Sequence, residues 1–330
     1  MPSSGEVLAT IPVGMVPKWV AVGPDGTRAY VTMSNPPGSG PPEGAVAVID
    51  IPTNTLMATI AVGILPSGVV VAPDGRHAYV SNLQHSGGVV NVIDTTSNAV
   101  VDSITVSAPT GLPHGLAMTP DGCQLYVVAE TGEDTGQGAV KIIDVNTKAI
   151  IATVAMAPCE SQSDVAITPD GRLAYVLDST GFGPAVIDTT THDVSFPLRT
   201  GIACGRMAIT PNGLLAYLVS DTVDSGEVYD LATRKIVTAF DLFGGHSTDV
   251  AVTPDGRHAY VTQRPGNSAG GRLLVIDTAT QKRVDPRSRC PDRRMGWRSC
   301  RTGKPHTCRT VARAPYTSSR FDHEPAIGSY

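Results

Sequence analysis

The sequence predicts an all-β protein made of six repeated, four-stranded units. Three observations predict it. The triplet Pro-Asp-Gly recurs at intervals of 42 to 49 residues, a tyrosine follows each copy at a near-constant distance, and about twenty residues later an apolar pair precedes an aspartate. A three-part pattern that occurs six times in 330 residues indicates a repeat architecture.

The Pro-Asp-Gly triplets predict tight turns between strands. Proline presets φ at the second position of a type I turn, and glycine accepts the left-handed conformation that closes it. A sixth copy has asparagine in place of aspartate and keeps the same chemistry. The copies begin at Pro24, Pro73, Pro120, Pro169, Pro211 and Pro254.

The aspartates that follow the apolar pairs predict a second turn in each unit. Every one of them is followed three residues later by Thr or Ser, and an aspartate side chain can cap its own turn. We interpret the aspartates of both turns as structural, and also His77 and His258, which share one repeat position. The second set comprises Asp50, Asp94, Asp144, Asp188, Asp230 and Asp277.

The segments between the turns are short and rich in Val, Ile, Ala and Tyr, as strands are. Four strands per unit, at a period in the forties, are typical of a β-propeller, whose blades stack radially and cover one another. We therefore predict a propeller of six complete four-stranded blades over residues 1–283. The strands of one unit are expected at Val69–Ala72, Ala78–Ser81, Val89–Asp94 and Val101–Thr105.

The repeat text also resembles a known family. "VAVTPDGRHAYVTQ" at residues 251–264, the later "VIDTAT", and "ATIPVG" at residues 9–14 resemble the YVTN-type β-propeller repeat proteins of bacterial and archaeal surface layers and secretions. The resemblance covers about residues 5–283. It implies the fold and leaves the ligand open, because members share the scaffold and differ in what they bind.

The N-terminus predicts how a ring could close. "EVLATIPVG" at residues 6–14 matches "LMATIAVG" at residues 56–63, the fourth strand of a blade, and has no first three strands before it. Propellers close by letting such a strand complete the last blade. In a ring of six, residues 6–13 would complete the blade that starts near Thr248.

Residues 284–330 predict an irregular tail. They are rich in Arg, Cys, Pro and Ser and lack a strand pattern. If the codons are read two bases later, Ser288–Cys290 permits Ile-Pro-Val, and the stretch from Arg294 permits another Pro-Asp-Gly copy. Met295 and Trp297 have single codons, which limits this freedom. We predict a disordered or loosely packed frameshift product of a seven-bladed ancestor.

Composition excludes some function classes. The net charge of −5 argues against general nucleic-acid binding, and we interpret the basic tail as a by-product of the frameshift. The sequence has no run of 18 or more apolar residues, so no membrane span is predicted. The N-terminus has neither a charged leader nor an apolar stretch, so no signal peptide is predicted, although the resembled family is often exported.

Function is sought where the copies differ. Positions six and five residues before each turn proline are expected at the mouth of the central channel, where a mixed polar ring in a uniform framework predicts a site for a protein or small-molecule ligand. Ordinary solvated loops around a water-filled channel are the alternative. The candidates at these positions are Lys18, Trp19, Ser67, His114, Ser163, Asp164, Arg206 and Asp249, with Gly68, Gly115, Gly205 and Thr248 as their equivalents. His246 lies outside these positions and is a further candidate that could converge on the same mouth.

A metal site and a catalytic site have weaker support. Clustered carboxylates in the loops after the second strands are typical of calcium sites, but no loop has the ligand ladder of a dedicated one, so no cofactor is predicted. No Gly-x-Ser-x-Gly, His-Glu-x-x-His or phosphate loop occurs. The loop candidates are Glu130, Glu133, Asp134, Asp178, Asp221 and Asp224.

The sequence therefore predicts a non-enzymatic binding scaffold and leaves three questions open. One alternative is a hydrolase or lactonase with a metal at the channel mouth. Another is a product that has lost its function with its last blade. The third question is whether Cys159 and Cys204, in loops of neighbouring repeats, form a disulfide, which spacing alone does not establish.

Overall fold

The computed structural model is all-β and confirms the propeller. It describes residues 9–35, 43–84, 87–107, 113–130, 138–156, 162–178, 183–196, 200–220, 222–242, 245–265 and 272–284. The strands form six antiparallel four-stranded sheets, each made of four consecutive strands. None of the described residues belongs to a helix that is long and apolar enough to cross a membrane.

The first three blades contain strands β1 to β12. Blade one consists of β1 (Val16–Val22), β2 (Arg28–Ser34), β3 (Gly44–Asp50) and β4 (Thr55–Gly63). Blade two consists of β5 (Val69–Val71), β6 (His77–Gln84), β7 (Gly87–Asp94) and β8 (Ala99–Thr105). Blade three consists of β9 (Pro113–Met118), β10 (Gln124–Glu130), β11 (Gly138–Asp144) and β12 (Ile150–Ala155).

The last three blades contain strands β13 to β24. Blade four consists of β13 (Gln162–Ile167), β14 (Leu173–Asp178), β15 (Ala185–Asp188) and β16 (Val194–Ser195). Blade five consists of β17 (Arg206–Ile209), β18 (Leu215–Val219), β19 (Ser225–Asp230) and β20 (Lys235–Asp241). Blade six consists of β21 (Gly245–Val252), β22 (His258–Pro265), β23 (Arg272–Asp277) and β24 (Lys282–Arg283).

The structural role predicted for the Pro-Asp-Gly turns is confirmed. In blade three the Asp121 carboxylate accepts the backbone N–H of Cys123 at 2.9 Å and the hydroxyl of Thr119 at 2.6 Å. Gly122 has φ of +72°, a conformation that side chains with a Cβ rarely adopt. These hydrogen bonds favour the charged carboxylate, the Thr119 bond most strongly, and lower the pKa of Asp121.

The second predicted turn is also confirmed. Asp144 accepts the backbone N–H of Thr147 at 2.7 Å and its hydroxyl at 2.8 Å, and Lys148 then takes a positive φ of 59°. The same hydrogen bonds, the backbone one first, lower the pKa of Asp144. All six blades repeat the backbone bond from the residue three positions after the aspartate.

The core lies between blades rather than within them. Five hydrophobic clusters each join two consecutive blades. At the interface of blades three and four, for example, Tyr126 and Val140 share a cluster with Val165 and Ala174. We call the side of a blade that carries its tyrosine the leading face, and the side that covers the preceding tyrosine the trailing face.

Buried polar side chains tie blades two, five and six to the chain that reaches each of them from the preceding blade. Asn91 of blade two donates to the carbonyl of Val62 at 2.6 Å, near the end of blade one. Gln263 of blade six donates to the carbonyl of Leu242, just after blade five. Glu227 of blade five accepts the N–H of Gly201 at 3.1 Å, and burial raises the pKa of Glu227.

Two expectations about the ends of the chain have different outcomes. The closure predicted for a ring of six is wrong, because the fourth strand of blade six is Lys282–Arg283 and residues 9–13 form no strand. Val13 and Met15 instead pack beside Met33 on blade one. Residues 285–330 lie outside the described residues, so the frameshift tail stays a prediction.

The six equivalent tyrosines provide a test of this packing. Tyr126 is fully buried between blades three and four, whereas Tyr260, on the leading face of blade six, is partly exposed. We expect Tyr126→Ala to lower the free energy of unfolding by about 3 kcal/mol or more, as for other buried aromatic rings. Tyr260→Ala should cost less than half as much. Urea unfolding followed by circular dichroism measures both, and equal losses would contradict the packing described.

Candidate functional site

The channel wall is formed by the first strand of each blade. These strands are edge strands of their sheets, and β1, β5, β9, β13, β17 and β21 pack against one another in that order. Side-chain hydroxyls on the second strands connect neighbouring blades next to this wall. Thr32 donates to the carbonyl of Ser67 at 2.8 Å, and Ser81 donates to the carbonyl of His114 at 2.7 Å.

Trp19 and Arg206 meet across the channel. The guanidinium carbon of Arg206 lies 4.1 Å from the centre of the Trp19 ring, a cation–π contact. Trp19 belongs to β1 of blade one and Arg206 to β17 of blade five. Arg206 also donates to the carbonyl of Gly205 at 2.7 Å. Because these blades are not consecutive along the chain, the contact joins parts of the channel wall that share no sheet or turn.

Asp164 and Asp249 place two carboxylates in the field of Arg206. Burial raises the pKa of Asp164 to about 7, against the opposing effects of the Arg206 charge and the Val165 N–H, while Asp249 raises it further. Burial also raises the pKa of Asp249, opposed by the Val250 N–H and by Arg206. The structure thus brings Trp19, Arg206, Asp164 and Asp249 into one mixed-charge cluster, which we call the channel cluster.

Glycine at the equivalent position of blade three makes room for this cluster. A Cβ added to Gly115 would lie 2.2 Å from the Asp164 carboxylate oxygen Oδ1 and 2.7 Å from the Asp164 Cα. Only a residue without a side chain therefore leaves space for Asp164. A Cβ on Gly68 would similarly lie 3.2 Å from the carbonyl oxygen of His114.

The remaining predicted residues lie around the channel cluster in other roles. Ser163 donates to the carbonyl of Gly205 at 3.2 Å, so its hydroxyl connects blades four and five. Lys18 is exposed, and Thr248 shares a hydroxyl contact of 2.8 Å with Thr262. His246 lies on β21, opposite Arg264, but its side chain is outside the described part of the chain.

The predicted acidic loops show no common site in the part of the chain that is described. Asp178 is buried at the end of β14, whereas Asp224 is exposed. No three His, Cys, Asp or Glu side chains come together there in a way that could hold a metal ion. Glu133, Asp134, Asp221 and the side chain of Glu130 are outside the described residues.

The suggested disulfide between Cys159 and Cys204 is wrong, because Cys204 is a free thiol in the structure. Cys204 is a buried free thiol, 3.4 Å from the carbonyl oxygen of Ile202. Burial raises the pKa of Cys204 to about 12, so the thiol is protonated near neutral pH. Cys159 lies outside the described residues.

The repeat positions of the channel residues are predictable from the sequence, but the contact between Trp19 and Arg206 is not. Nothing in the spacing of Trp19 and Arg206 predicts that they touch, because the pairing depends on the width of the channel. The available signal is that blades two and three have glycine at this position, whereas the other four blades have large side chains. Gly115 leaves space that the Asp164 carboxylate of the next blade occupies.

Comparisons with known proteins support the propeller. The chain is 29% identical, over 251 residues, to the seven-bladed beta-propeller protein Rv1057 of Mycobacterium tuberculosis. The match covers 67% of this chain and 63% of that relative. No family model matches. The membership of the YVTN-type repeat family therefore stays a prediction, while a seven-bladed relative agrees with the predicted seven-bladed ancestor.

A solved structure shares the fold. Hydrazine synthase from Kuenenia stuttgartiensis superimposes with a TM-score of 0.70, over 83% of this chain and 87% of that one, at 23% sequence identity. At this identity the likeness concerns the fold alone, since one fold hosts many functions.

Asp164 gives the protein a testable pH dependence. Between about pH 4 and pH 7 the folded protein holds the Asp164 proton more tightly than the unfolded chain, so this group lowers the stability as the pH rises through that window. The loss is complete above pH 7. We expect Asp164→Asn to gain stability relative to wild type from pH 4 to pH 8, as measured by urea unfolding.

Asp170→Asn is the matched control for this pH dependence. Hydrogen bonds from the Thr168 hydroxyl and the Arg172 N–H lower the pKa of Asp170. The charged Asp170 carboxylate therefore stabilises the folded protein above about pH 4, and this stabilisation is lost at lower pH. The difference between Asp170→Asn and wild type should stay constant from pH 5 to pH 8. Parallel stability curves for Asp164→Asn and wild type from pH 4 to pH 8 would contradict a raised Asp164 pKa.

Proposed function

We propose that the protein is a non-enzymatic binding module whose ligand is held at the mouth of the propeller channel. The observation that carries this proposal is the channel cluster, in which Trp19 and Arg206 meet across the ring beside Asp164 and Asp249. Scaffold positions are nearly identical from blade to blade, whereas the cluster position varies: it holds Trp in blade one, Asp in blades four and six, Arg in blade five, and Gly in blades two and three. Variable polar residues on a rigid frame are typical of binding sites.

The chemistry of the channel cluster favours a ligand with groups of both charges, such as an amino acid or the end of a peptide. The carboxylates of Asp164 and Asp249 would accept hydrogen bonds from an ammonium group. Arg206 presents a planar fork of donors that matches a carboxylate. Trp19 offers a flat apolar surface on which an organic cation or an aliphatic chain would pack.

Burial of Asp164 makes the proposed binding depend on pH. Near pH 6 its carboxyl is largely protonated, and near pH 8 it is largely charged, because its pKa is raised to about 7. An ammonium group should therefore bind more tightly at pH 8. A ligand carboxylate that pairs with Arg206 should bind more weakly at pH 8. At that pH the charged Asp164 carboxylate competes with the ligand for the same arginine.

A metal-dependent hydrolase or lactonase remains the rival function. It requires two or three carboxylates or histidines that converge on one point. Asp164 and Asp249 supply two carboxylates near Arg206, and the side chain of His246 lies outside the described residues. The rival is therefore tested directly by turnover.

A ligand screen tests the proposed function. We would measure thermal shifts and ligand-observed NMR with a panel of amino acids, short peptides, simple amines and carboxylic acids at pH 6 and pH 8. Wild type is expected to bind a zwitterionic member of the panel. Arg206→Ala and Trp19→Ala should weaken that binding at least tenfold, since each removes one half of the cross-channel contact.

Arg172→Ala is the matched control, because this exposed arginine lies beside a Pro-Asp-Gly turn and outside the channel cluster. It should leave the binding unchanged. Binding that survives Arg206→Ala would place the ligand elsewhere. Hydrolysis of a lactone or ester that requires added Ca²⁺ or Zn²⁺ and is lost in Asp249→Asn would replace the proposal with the rival.

A further inference from the structure

Blade one has a bare trailing face. Val20 is 53% exposed, although its equivalents in the other five blades are between 5 and 8% exposed. Val22, two residues further along the same strand, is 56% exposed. The five buried equivalents are Val69, Leu116, Val165, Met207 and Val250.

Blade six has a bare leading face. Leu273 is 54% exposed, whereas Val46, Val90 and Val140 at the equivalent positions of blades one to three are fully buried. Tyr260 is partly exposed, although the five other repeat tyrosines are no more than 3% exposed. Both bare faces consist of residues that elsewhere form the core between two blades.

The stacking of the Pro-Asp-Gly turns shows the same break independently. In five blades, a Cβ added to the turn glycine would lie 3.2 to 3.6 Å from the turn proline of the preceding blade. Gly75, for example, faces Pro24 at 3.4 Å. A Cβ on Gly26 of blade one would meet nothing within 4 Å among the described residues. Pro254 of blade six therefore does not stack on blade one.

The two bare faces define what would fit between them. The same two faces pack against each other at five interfaces between consecutive blades of this molecule. A blade of the same repeat type therefore complements both exposed faces. Val13 and Met15 cover only the part of blade one around Met33, Ala45 and Ala47. The seven-bladed relative indicates that such a ring accepts one more blade.

Two other occupants match this surface less well. Residues 285–330 contain ten Lys and Arg against four Asp and Glu, and they lack the apolar alternation of a blade. A second copy of the chain has its inner blades already covered on both sides, so only its bare outer faces are accessible. Neither presents one sheet with two free apolar faces.

We propose that the space between blade six and blade one is a docking seat for a single β-blade of this repeat type carried by another polypeptide. The seat binds by apolar burial on both sides, with Val20 and Val22 on one wall and Leu273 and Tyr260 on the other. This proposal is independent of the channel cluster and of any ligand held there.

A blade offered in trans tests the docking seat. The full-length protein is titrated into a fluorescently labelled peptide with the sequence of residues 64–107, which spans blade two, and anisotropy is recorded. We expect saturable one-to-one binding. Val20→Asp combined with Leu273→Asp should weaken it at least tenfold, because each places a charge in an apolar interface. Both positions are exposed in the free protein, so folding should be preserved.

Two controls accompany this titration. Val101→Asp changes a valine that is 55% exposed on the outer strand of blade two, and it should leave the affinity unchanged. A peptide with aspartate at the positions of Val69 and Val92 carries one charge on each face and should not bind. Equal binding of wild type and of the Val20→Asp, Leu273→Asp variant would overturn the docking seat.

Two further results would overturn the assignment of the occupant. If the peptide binds a chain that ends at residue 284 but not the full chain, the tail fills the seat. If sedimentation shows dimers that disappear in the Val20→Asp, Leu273→Asp variant, the occupant is a second copy. Both experiments use the same variants as the titration.

Discussion

A blade of this protein is a thin sheet with two apolar faces, and each face is stabilised when another blade covers it. That constraint explains why the core lies between blades, with tyrosines such as Tyr126 fully buried against the next sheet. Burial of apolar area is the main source of stability. A blade that has lost a neighbour therefore keeps its backbone pairing and loses half of its core.

Contacts between the turns of successive blades help to arrange the blades in a regular ring. The proline of one Pro-Asp-Gly turn lies against the glycine of the next, as Pro73 does against Gly122. Hydroxyls on the second strands, such as Thr32 and Ser81, add hydrogen bonds from their blade to the chain that enters the next one. Both contacts recur at several interfaces between consecutive blades. The angle between two blades therefore depends on residues near their interface, whereas the number of blades depends on the whole ring.

This division explains how much the sequence could predict. Turns, strands and their order depend on neighbouring residues, and the predicted strand Val89–Asp94 differs from β7 (Gly87–Asp94) by two residues. The exposure of Val20 depends on the lack of a neighbouring blade against it among the described residues, and nothing in its own repeat distinguishes it from Val69. The contact of Trp19 with Arg206 depends on the channel width, which no single repeat encodes.

The buried polar side chains between blades have a consequence for how the chain assembles. Six nearly identical sheets offer many wrong neighbours during folding. In the native order the Asn91 amide donates to the carbonyl of Val62 and the Gln263 amide to that of Leu242. Against a neighbour that presents no carbonyl at the same place, either amide would be buried without an acceptor. An unsatisfied buried amide costs roughly 1 to 3 kcal/mol. These buried amides therefore favour the native order of the blades over misordered arrangements.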